Sequence, residues 1–364
     1  MTREEELLLH LVRAGLHPGV EYDLPAGLVD LDKVDWPRLF SLGIDQGVAA
    51  VAWDGMPETM RQRLPRPLRI EWALAVERIE RNYDRQRRVL GGLAAFFAAH
   101  GIPVMGLKGY GVSLCYPVPS HRPCGDIDIW LFGHQAEADA LLLQDKGIRV
   151  DNGEHHHTKF VADGIVVENH YDFVNVHHRA SNQLVERNLK RLALLPGDTV
   201  SVDGHPLHLP PPDFNALFLL RHAAMHFAAT EIGLRHVVDW ALFAERYRGR
   251  IDWEALTGLA RRLNMHRFLD ALDAIAIDFL GVAPEVLPPV QRDEALQRRV
   301  LHEILAPGFS EAKPDGSILR VVAFKARRWW ANRWKHRLVY SDGLVASFLH
   351  SSWSHLLKPR TIRE

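Results

Sequence analysis

GDIDIWL, residues 125–131, is the most informative stretch of the sequence, because it places two carboxylates two residues apart in an apolar run. The run predicts a buried β-strand, in which alternate side chains share a face, so Asp126 and Asp128 are predicted to point the same way. Two ionised carboxylates at this spacing are costly to desolvate unless a cation lies between them. Hard oxygen ligands suit Mg²⁺ or Mn²⁺. Such a pair is also typical of solvated turns, but the apolar flank favours a metal site at the mouth of a strand.

The composition is that of an ordinary globular protein. The chain has 364 residues, of which 47% are hydrophobic, and this is enough for a sizeable core and two or three domains. Its formal net charge of −1 argues against a surface coated with nucleic acid, although a local basic patch is compatible with it. The two cysteines, Cys115 and Cys124, cannot build a disulfide framework and are expected to be reduced.

The sequence predicts a soluble, cytoplasmic protein. The N-terminal residues MTREEE are acidic and lack the basic start and the apolar stretch of a signal peptide. No uncharged apolar stretch approaches the roughly 18 residues that a membrane span needs.

The first of three regions, residues 1–100, predicts helices. Thr2 and Glu5 form a capping-box pattern before an apolar-periodic run. A proline-free run from Leu68 to His100 predicts one long helix. We therefore expect this region to be helical throughout.

The second region, residues 101–212, predicts an α/β core with strands through Ile148, Phe160 and Ile165. It ends in a predicted hairpin with an Asp-Gly turn at 203–204. The third, residues 213–364, predicts more helices and a basic-aromatic tail. The predicted fold class is thus α+β, with a small mixed-sheet core flanked by N-terminal and C-terminal helical regions.

Glu168 is the candidate third carboxylate. It lies in another apolar, β-branched run, and a strand beside the first would bring it next to Asp126 and Asp128. Two metal ions can hold the attacking and leaving oxygens of a phosphoryl transfer, which requires more carboxylate than two aspartates supply. The alternative is a glutamate on an exposed strand face.

Several short motifs carry a family resemblance. They are Leu107-Lys108-Gly109, Tyr116-Pro117, Arg122 to Asp128, Val167 to His170, His222-x-x-x-His226, Gly233-Leu234-Arg235 and Asp239-Trp240. With them the chain resembles the nucleotidyltransferase superfamily, which has a polymerase-β-like fold, over about residues 70–265. More narrowly, it resembles an incompletely characterised bacterial group. The resemblance implies a small α/β nucleotidyltransferase core with helices packed around it.

The resemblance also implies an activity. A nucleoside monophosphate would pass from an NTP such as ATP to a hydroxyl acceptor, which is a small molecule, a glycan precursor or a protein, and pyrophosphate would be released. Asp126, Asp128 and Glu168 would be catalytic and would bind two Mg²⁺ or Mn²⁺ ions, and Glu168 is a candidate base. The alternative is a non-catalytic nucleotide-sensing or partner-binding protein on the same fold. A histidine-metal hydrolase is a third hypothesis.

One departure from the superfamily concerns the turn after the first strand. That turn is usually Gly-Gly or Gly-Ser, whereas this chain has Lys108-Gly109. Gly109 still permits close approach of the backbone to a phosphate. Lys108 is predicted either to contact the triphosphate or to pair with an aspartate as a structural element. Arg122, four residues before Asp126, is predicted either to bind phosphate or to orient the carboxylate.

Among the 21 histidines, His170 is the main candidate for substrate binding. It shares a face with Glu168, so it either contacts substrate or bonds to a strand neighbour. The run His155-His156-His157 is different, because three consecutive imidazoles in a strand cannot all face one metal. A zinc site there is therefore not favoured, and one of the three is expected to face the cleft.

Two pairs of polar residues have helical spacing. His222 and His226 share a helix face, but they lack the intervening glutamate of a metalloprotease motif. Arg235 and Asp239 have the same spacing, and an ion pair between them is the simplest explanation. Their match to the family pattern implies that His226, Arg235 and Asp239 line the cleft, where Arg235 would hold a phosphate or the acceptor and Asp239 would orient it.

Residues 325–337 interleave cations with aromatic side chains. This composition is typical of nucleic-acid or membrane-surface binding, and equally of a helix packed on the body. We expect an NTP and an acceptor as partners rather than nucleic acid, and peripheral membrane contact is compatible with the segment. The sequence does not predict the oligomeric state.

Overall fold

The computed structural model describes residues 1–20, 28, 30–176, 180–229, 231–309 and 318–343. Five helices open the chain: α1 (Arg3–Leu16), α2 (Trp36–Asp45), α3 (Ala49–Asp54), α4 (Glu58–Arg61) and α5 (Arg66–Ala99). The capping box is confirmed, since the Thr2 side chain accepts from the backbone of Glu5 and the Glu5 carboxylate accepts from the backbone of Thr2. The predicted long helix is also confirmed as α5, which has 34 residues.

The middle of the chain builds one mixed sheet. Its strands are β1 (Met105–Leu107), β2 (Ile127–Trp130), β3 (His157–Ala162), β4 (Ile165–His170), β5 (Thr199–Val202) and β6 (His205–His208), with helices α6 (Gly109–Ser113), α7 (Gln135–Lys146) and α8 (Ala180–Leu192) between them. The strand order across the sheet is β3-β4-β2-β1-β6-β5. The last two strands form the predicted hairpin. The α+β class is therefore confirmed.

The register of the central strands positions the acids. Strand β2 runs antiparallel to β1 and parallel to β4. In the first pairing Leu107 lies opposite Asp128, and in the second Asp128 lies opposite Glu168. Because side chains at paired positions point to the same face of a sheet, the two carboxylates come together.

Helices α9 to α15 follow the sheet in the described part of the chain. They span Pro212–Ala229, Leu234–Arg246, Trp253–Arg262, His266–Leu280, Glu294–Leu305, Ile318–Ala331 and Arg333–Val339. The basic-aromatic segment spans α14 and α15, so it forms two helices. Lys335 is buried at 1% exposure and pairs with Glu303 at 2.6 Å, whereas Trp330 is 63% exposed. Part of the segment thus packs on the body.

None of the described helices is long and apolar enough to cross a membrane. The predicted C-terminal region continues past residue 343, beyond the described residues.

Two hydrophobic cores hold these elements together. One packs the end of α5 and helix α7 against the sheet, for example Phe97 and Leu142 against Ile129. The other joins the first and last helical regions, with Leu8 and Phe268 in one cluster. The helices before and after the sheet therefore share a core, although they are far apart in sequence.

Two local predictions differ from the structure. Helix α8 was not predicted, although Val185, Leu189 and Leu192 have helical spacing and are buried. A strand was predicted around Ile148, but it lies after the end of α7 and outside the strands. Its backbone amide bonds to the carbonyl of Leu142, as part of the C-terminal end of that helix.

A buried ion pair joins the loop before β2 to helix α10. Arg122 donates through Nε to Asp239 Oδ1 at 2.7 Å and through Nη2 to Asp239 Oδ2 at 2.8 Å. Tyr116 also donates to Asp239, at 2.7 Å. Of the two explanations for the spacing of Arg235 and Asp239, the local ion pair is not the one that the described residues show. Asp239 pairs with Arg122, whose planar guanidinium can meet both carboxylate oxygens.

Asp239→Asn is expected to lower the free energy of unfolding by about 3–5 kcal/mol, because it leaves a buried guanidinium without its counter-charge. Urea denaturation measures this. The matched control is Asp198→Asn, which removes an exposed ion pair with Arg250 and should cost under about 1 kcal/mol. Equal, small losses in both variants would contradict the structural role of the buried pair.

A second buried carboxyl makes stability depend on pH. Asp273 lies in α12 and accepts a hydrogen bond from Trp240 Nε1 at 2.7 Å. Burial raises the pKa of Asp273 to about 8. Since the folded pKa lies above the unfolded value of about 4, the stability it contributes is complete at low pH and is lost as pH rises toward 8.

Asp273→Asn keeps an acceptor for Trp240 and cannot titrate. We expect the variant to be more stable than the parent protein near pH 8 and its stability to change less between pH 5 and pH 8. Chemical denaturation across this range measures both effects. Asp163→Asn, at an exposed turn position, is the control. Parallel pH profiles for the parent and Asp273→Asn would show that this carboxyl does not titrate with folding.

Candidate functional site

A tight turn brings the backbone to the edge of a cleft of about 520 Å³. Strand β1 ends at Leu107, and the next two residues have positive φ angles, 45° at Lys108 and 24° at Gly109. Such angles favour glycine, so Lys108 is held there against its own preference. Both residues line the cleft. The turn thus places a cation and an open stretch of backbone beside the acids.

Three carboxylates face the same cleft. Asp128 lies within β2 and is almost fully buried, and Glu168 lies opposite it on β4. Asp126 immediately precedes β2, where the chain enters the sheet. All three line the cleft, and the structure therefore brings together the acids that the sequence predicted would meet.

Two cations neutralise Asp128. Lys108 Nζ lies 3.1 Å from Asp128 Oδ1, and His170 Nε2 lies 3.0 Å from the same oxygen. Burial alone would raise the pKa of Asp128, but these two groups outweigh it and hold the pKa well below its usual range. Burial would lower the pKa of His170, but its hydrogen bonds to Asp128 and Glu168 raise it to about 9. These shifts favour the negatively charged form of Asp128 and the positively charged form of His170.

The pKa values of the other two acids, Asp126 and Glu168, shift in opposite directions. Burial and the charge of Asp128 raise the pKa of Asp126. Burial also acts to raise the pKa of Glu168, but His170 and His157 lower it to about 2. Lys159 Nζ adds a contact to Glu168 at 3.2 Å. Neighbouring cations thus stabilise the charged form of Glu168, whereas burial and the charge of Asp128 disfavour the charged form of Asp126.

The donor atoms fit a divalent metal ion. Asp128, Glu168 and His170 each offer one ligand atom, and these atoms lie within 4.8 Å of one another. Carboxylate oxygens are the ligands that Mg²⁺ and Mn²⁺ prefer, and imidazole is accepted by transition metals. This group can hold a divalent ion.

Side chains from two helices, α5 and α10, fix the loop that leads to Asp126. Asn82 and Gln86 on α5 donate to the carbonyl of Cys124, at 2.9 and 3.1 Å. Arg235 on α10 donates to the carbonyl of Pro123 at 2.8 Å. Arg122 is held by Asp239. The loop is therefore tied to helices on both sides of the cleft.

The opposite wall of the cleft carries three neutral histidines. His222 and His226 lie on α9 with ring centroids 4.3 Å apart, and His236 on α10 lies 6.0 Å from His222. Burial lowers the pKa of all three histidines, and the charge of Arg235 lowers it further, to about 4 for His226 and His236. Lys108 also lowers the pKa of His222 and His226. These imidazoles remain uncharged at neutral pH.

The cleft contains every candidate site residue predicted from the sequence. These are Lys108, Gly109, Arg122, Asp126, Asp128, Glu168, His170, His226, Arg235 and Asp239. The sequence left two roles open for each of three residues. In the structure Lys108 contacts Asp128, Arg122 pairs with Asp239, and His170 bonds to Asp128 on the neighbouring strand.

The histidine run departs from the predicted geometry. Strand β3 begins only at His157, and the chain bends at residues 154–156, so strand alternation does not apply to His156. The rings of His156 and His157 lie 4.3 Å apart and both approach His170. The strand argument against a zinc site therefore does not apply to this pair. His156 lines the cleft, as one of the three was expected to do.

Sequence reasoning missed other cleft residues. His236 follows Arg235 but has no motif of its own, and only the packing of α10 on α9 brings it near His222. Phe218 on α9 also lines the cleft, and its ring centroid lies 5.5 Å from Lys108 Nζ. Phe218 lies in an apolar helix, and the apolar pattern of that helix carries no signal of the cleft.

Comparison with solved structures finds two matching chains. The antibiotic-resistance factor ANT(2'')-Ia is 12% identical, with a TM-score of 0.35, and the match covers 49% of this chain and 91% of that one. An antigenic nucleotidyltransferase-like protein from Paracoccidioides brasiliensis is 15% identical, with a TM-score of 0.33, over 52% of this chain and 92% of that one. No curated protein sequence matches significantly.

A family model matches residues 32–281, which include the whole sheet and the cleft. The matched range covers more than half of the chain. It confirms the resemblance drawn from the motifs. The chain belongs to the family of uncharacterised nucleotidyltransferases.

Proposed function

We propose that this protein is a divalent-metal-dependent nucleotidyltransferase that transfers a nucleoside monophosphate from an NTP to a hydroxyl acceptor. The observation that carries the proposal is the pairing of β2 with β4, which sets Asp128 opposite Glu168 in a cleft that also contains Asp126. Family membership supports the general class of reaction. The acceptor is a small molecule, a glycan precursor or a protein.

The three carboxylates would hold the metal. Asp126, Asp128 and Glu168 would supply the oxygen donors, and His170 Nε2 lies 3.0 Å from Asp128 and 3.7 Å from Glu168. Bound divalent ions would neutralise the triphosphate and make the acceptor hydroxyl more acidic. Lys108 and His170 now balance the charge of Asp128, and a metal ion would take over that task.

The remaining cleft residues would position the substrates. Lys108, released from Asp128, reaches toward the phosphates from the turn, and Gly109 lets its backbone approach them. Glu168 accepts the proton of the acceptor hydroxyl. The hydroxyl oxygen then bonds to the α-phosphorus, the bond between the α- and β-phosphates breaks, and pyrophosphate leaves. Arg235 and the neutral histidine wall would orient the acceptor.

One observation favours a non-catalytic alternative. Lys108 Nζ lies 3.1 Å from Asp128, where its ammonium can serve as the counter-charge that a metal would otherwise supply. A protein that used lysine in this way would bind NTP without metal and without turnover. NTP binding that does not depend on Mg²⁺, with no pyrophosphate released across a broad acceptor panel, would favour this alternative.

Asp126→Asn and Asp128→Asn are each expected to lower NTP turnover at least about 100-fold, because metal ions supply several kcal/mol of transition-state stabilisation. Labelled NTPs, Mg²⁺ and an acceptor panel provide the assay, with pyrophosphate as the readout. Asp163→Asn makes the same chemical change at an exposed turn and should retain full activity. If turnover survives both cleft substitutions unchanged, these acids are not the metal ligands.

Lys108→Met separates the two roles of the lysine. If Lys108 binds phosphate, the dissociation constant for Mg-NTP should rise about 10-fold to 100-fold, since hydrogen bonds to charged groups contribute about 1.5–3 kcal/mol. Metal affinity should not fall, because Lys108 competes with the metal for Asp128. Calorimetry measures both constants, with the exposed Lys146→Met as control. Unchanged NTP affinity would show that Lys108 is only a structural partner of the aspartate.

A further inference from the structure

We propose that His156, His157 and His170 form a second metal site, which takes a Zn²⁺-class ion and is distinct from the carboxylate site. One ring nitrogen from each histidine lies within 4.8 Å of the other two. The ring centroids are 4.3 Å apart for His156 and His157, 5.1 Å for His157 and His170, and 5.6 Å for His156 and His170. The inference rests on these three side chains and does not depend on the proposed function.

Unsatisfied nitrogens point to a ligand at this place. Within the described part of the chain, both ring nitrogens of His157 and Nδ1 of His156 are buried and have no hydrogen-bond partner. His157 is only 4% exposed, and the closest acid oxygen, Glu168 Oε1, is 3.5 Å from its Nε2. Leaving a buried polar atom unpaired costs about 1–3 kcal/mol. A metal ion bonded to one nitrogen of each of these two rings would remove part of that penalty.

The donor chemistry selects the kind of ion. Three imidazoles suit Zn²⁺ and related transition metals, whereas Mg²⁺ prefers oxygen ligands. Glu168 lies beside His157 and His170, with oxygens 3.5 and 3.7 Å from their Nε2 atoms. It is placed to serve as a fourth ligand or to orient the imidazoles. The ion would thus be held more tightly than an exchangeable Mg²⁺.

The site borders the cleft. His156 and His170 line the cleft, while His157 lies behind them in the buried start of β3. His170 also belongs to the carboxylate donor group, and so does Glu168, the candidate fourth ligand, so the two sites adjoin each other. His156 and His157 belong to the histidine group alone among the described metal-binding groups, and they are the side chains to change.

The test measures metal binding without any nucleotide. Metal-free full-length protein is titrated with Zn²⁺ by calorimetry and with Co²⁺ by visible absorption, and X-ray absorption on the zinc-loaded parent protein counts its imidazole ligands. We expect one tightly bound ion per chain, a tetrahedral Co²⁺ spectrum and three imidazole nitrogens at about 2.0–2.1 Å from zinc. The ligand count needs no variant, so it holds even if a substitution prevents folding.

His156→Gln and His157→Gln are each expected to weaken Zn²⁺ binding at least about 10-fold, because losing a ligand should cost no less than losing a supporting group. His205→Gln, at an exposed strand position, is the matched control and should bind zinc as the parent does. Fewer than two imidazole ligands, or zinc affinity unchanged in both cleft variants, would overturn the site.

Asp126→Asn distinguishes this inference from the proposed function. The variant should keep its zinc, because Asp126 is outside the histidine group. If zinc binds as described but no nucleotidyl transfer is found, the metal site stands and the proposed function fails. If transfer occurs but zinc does not bind, the metal site fails alone.

Discussion

The parallel pairing of two neighbouring strands is the constraint on which the rest of the site depends. It sets Asp128 directly opposite Glu168 in the interior of a sheet, where two negative charges are stable only with compensation. Lys108, His170 and Lys159 supply that compensation from three different strands or turns. Because these acids share a face, the sheet itself places their negative charge beside the cleft.

The helices give this small sheet its rigidity. The first and last helical regions share one hydrophobic core, which also includes residues of β1 and β2. From this scaffold, polar side chains on α5 and α10 hold the loop that leads to Asp126. The pair of Arg122 with Asp239 is the strongest of these ties, since both side chains are buried and the contact uses two parallel hydrogen bonds. Positioning of this kind is the main demand of phosphoryl transfer, where the protein performs little covalent chemistry.

Much of the site could be predicted because the signals were local. The two-residue period of a strand placed Asp126 and Asp128 together, and the β-branched run around Glu168 identified its strand. The long helix and the hairpin were also encoded by short patterns. The ion pair between Arg122 and Asp239 could not be found in this way, because 117 residues separate its partners. The helical spacing of Arg235 and Asp239 suggested a local pair, and the tertiary contact prevailed over it.

The histidines show the same limit. Strand alternation separates neighbouring side chains, but His156 lies in the bend before β3, and its ring approaches that of His157. The convergence of His222 with His236 depends on how α9 and α10 pack, for which no sequence spacing carries a signal. Residues that meet through a bend or a helix crossing therefore remained outside the prediction.

The central claim is that the three carboxylates hold a divalent ion against an NTP. A crystal structure with Mn²⁺ and a non-hydrolysable NTP analogue tests it most directly, because manganese can be located by its anomalous scattering. We expect manganese bonded to Asp126, Asp128 and Glu168, with Lys108 moved from Asp128 to the triphosphate. Manganese and triphosphate bound elsewhere, with the contact between Lys108 and Asp128 intact, would contradict it.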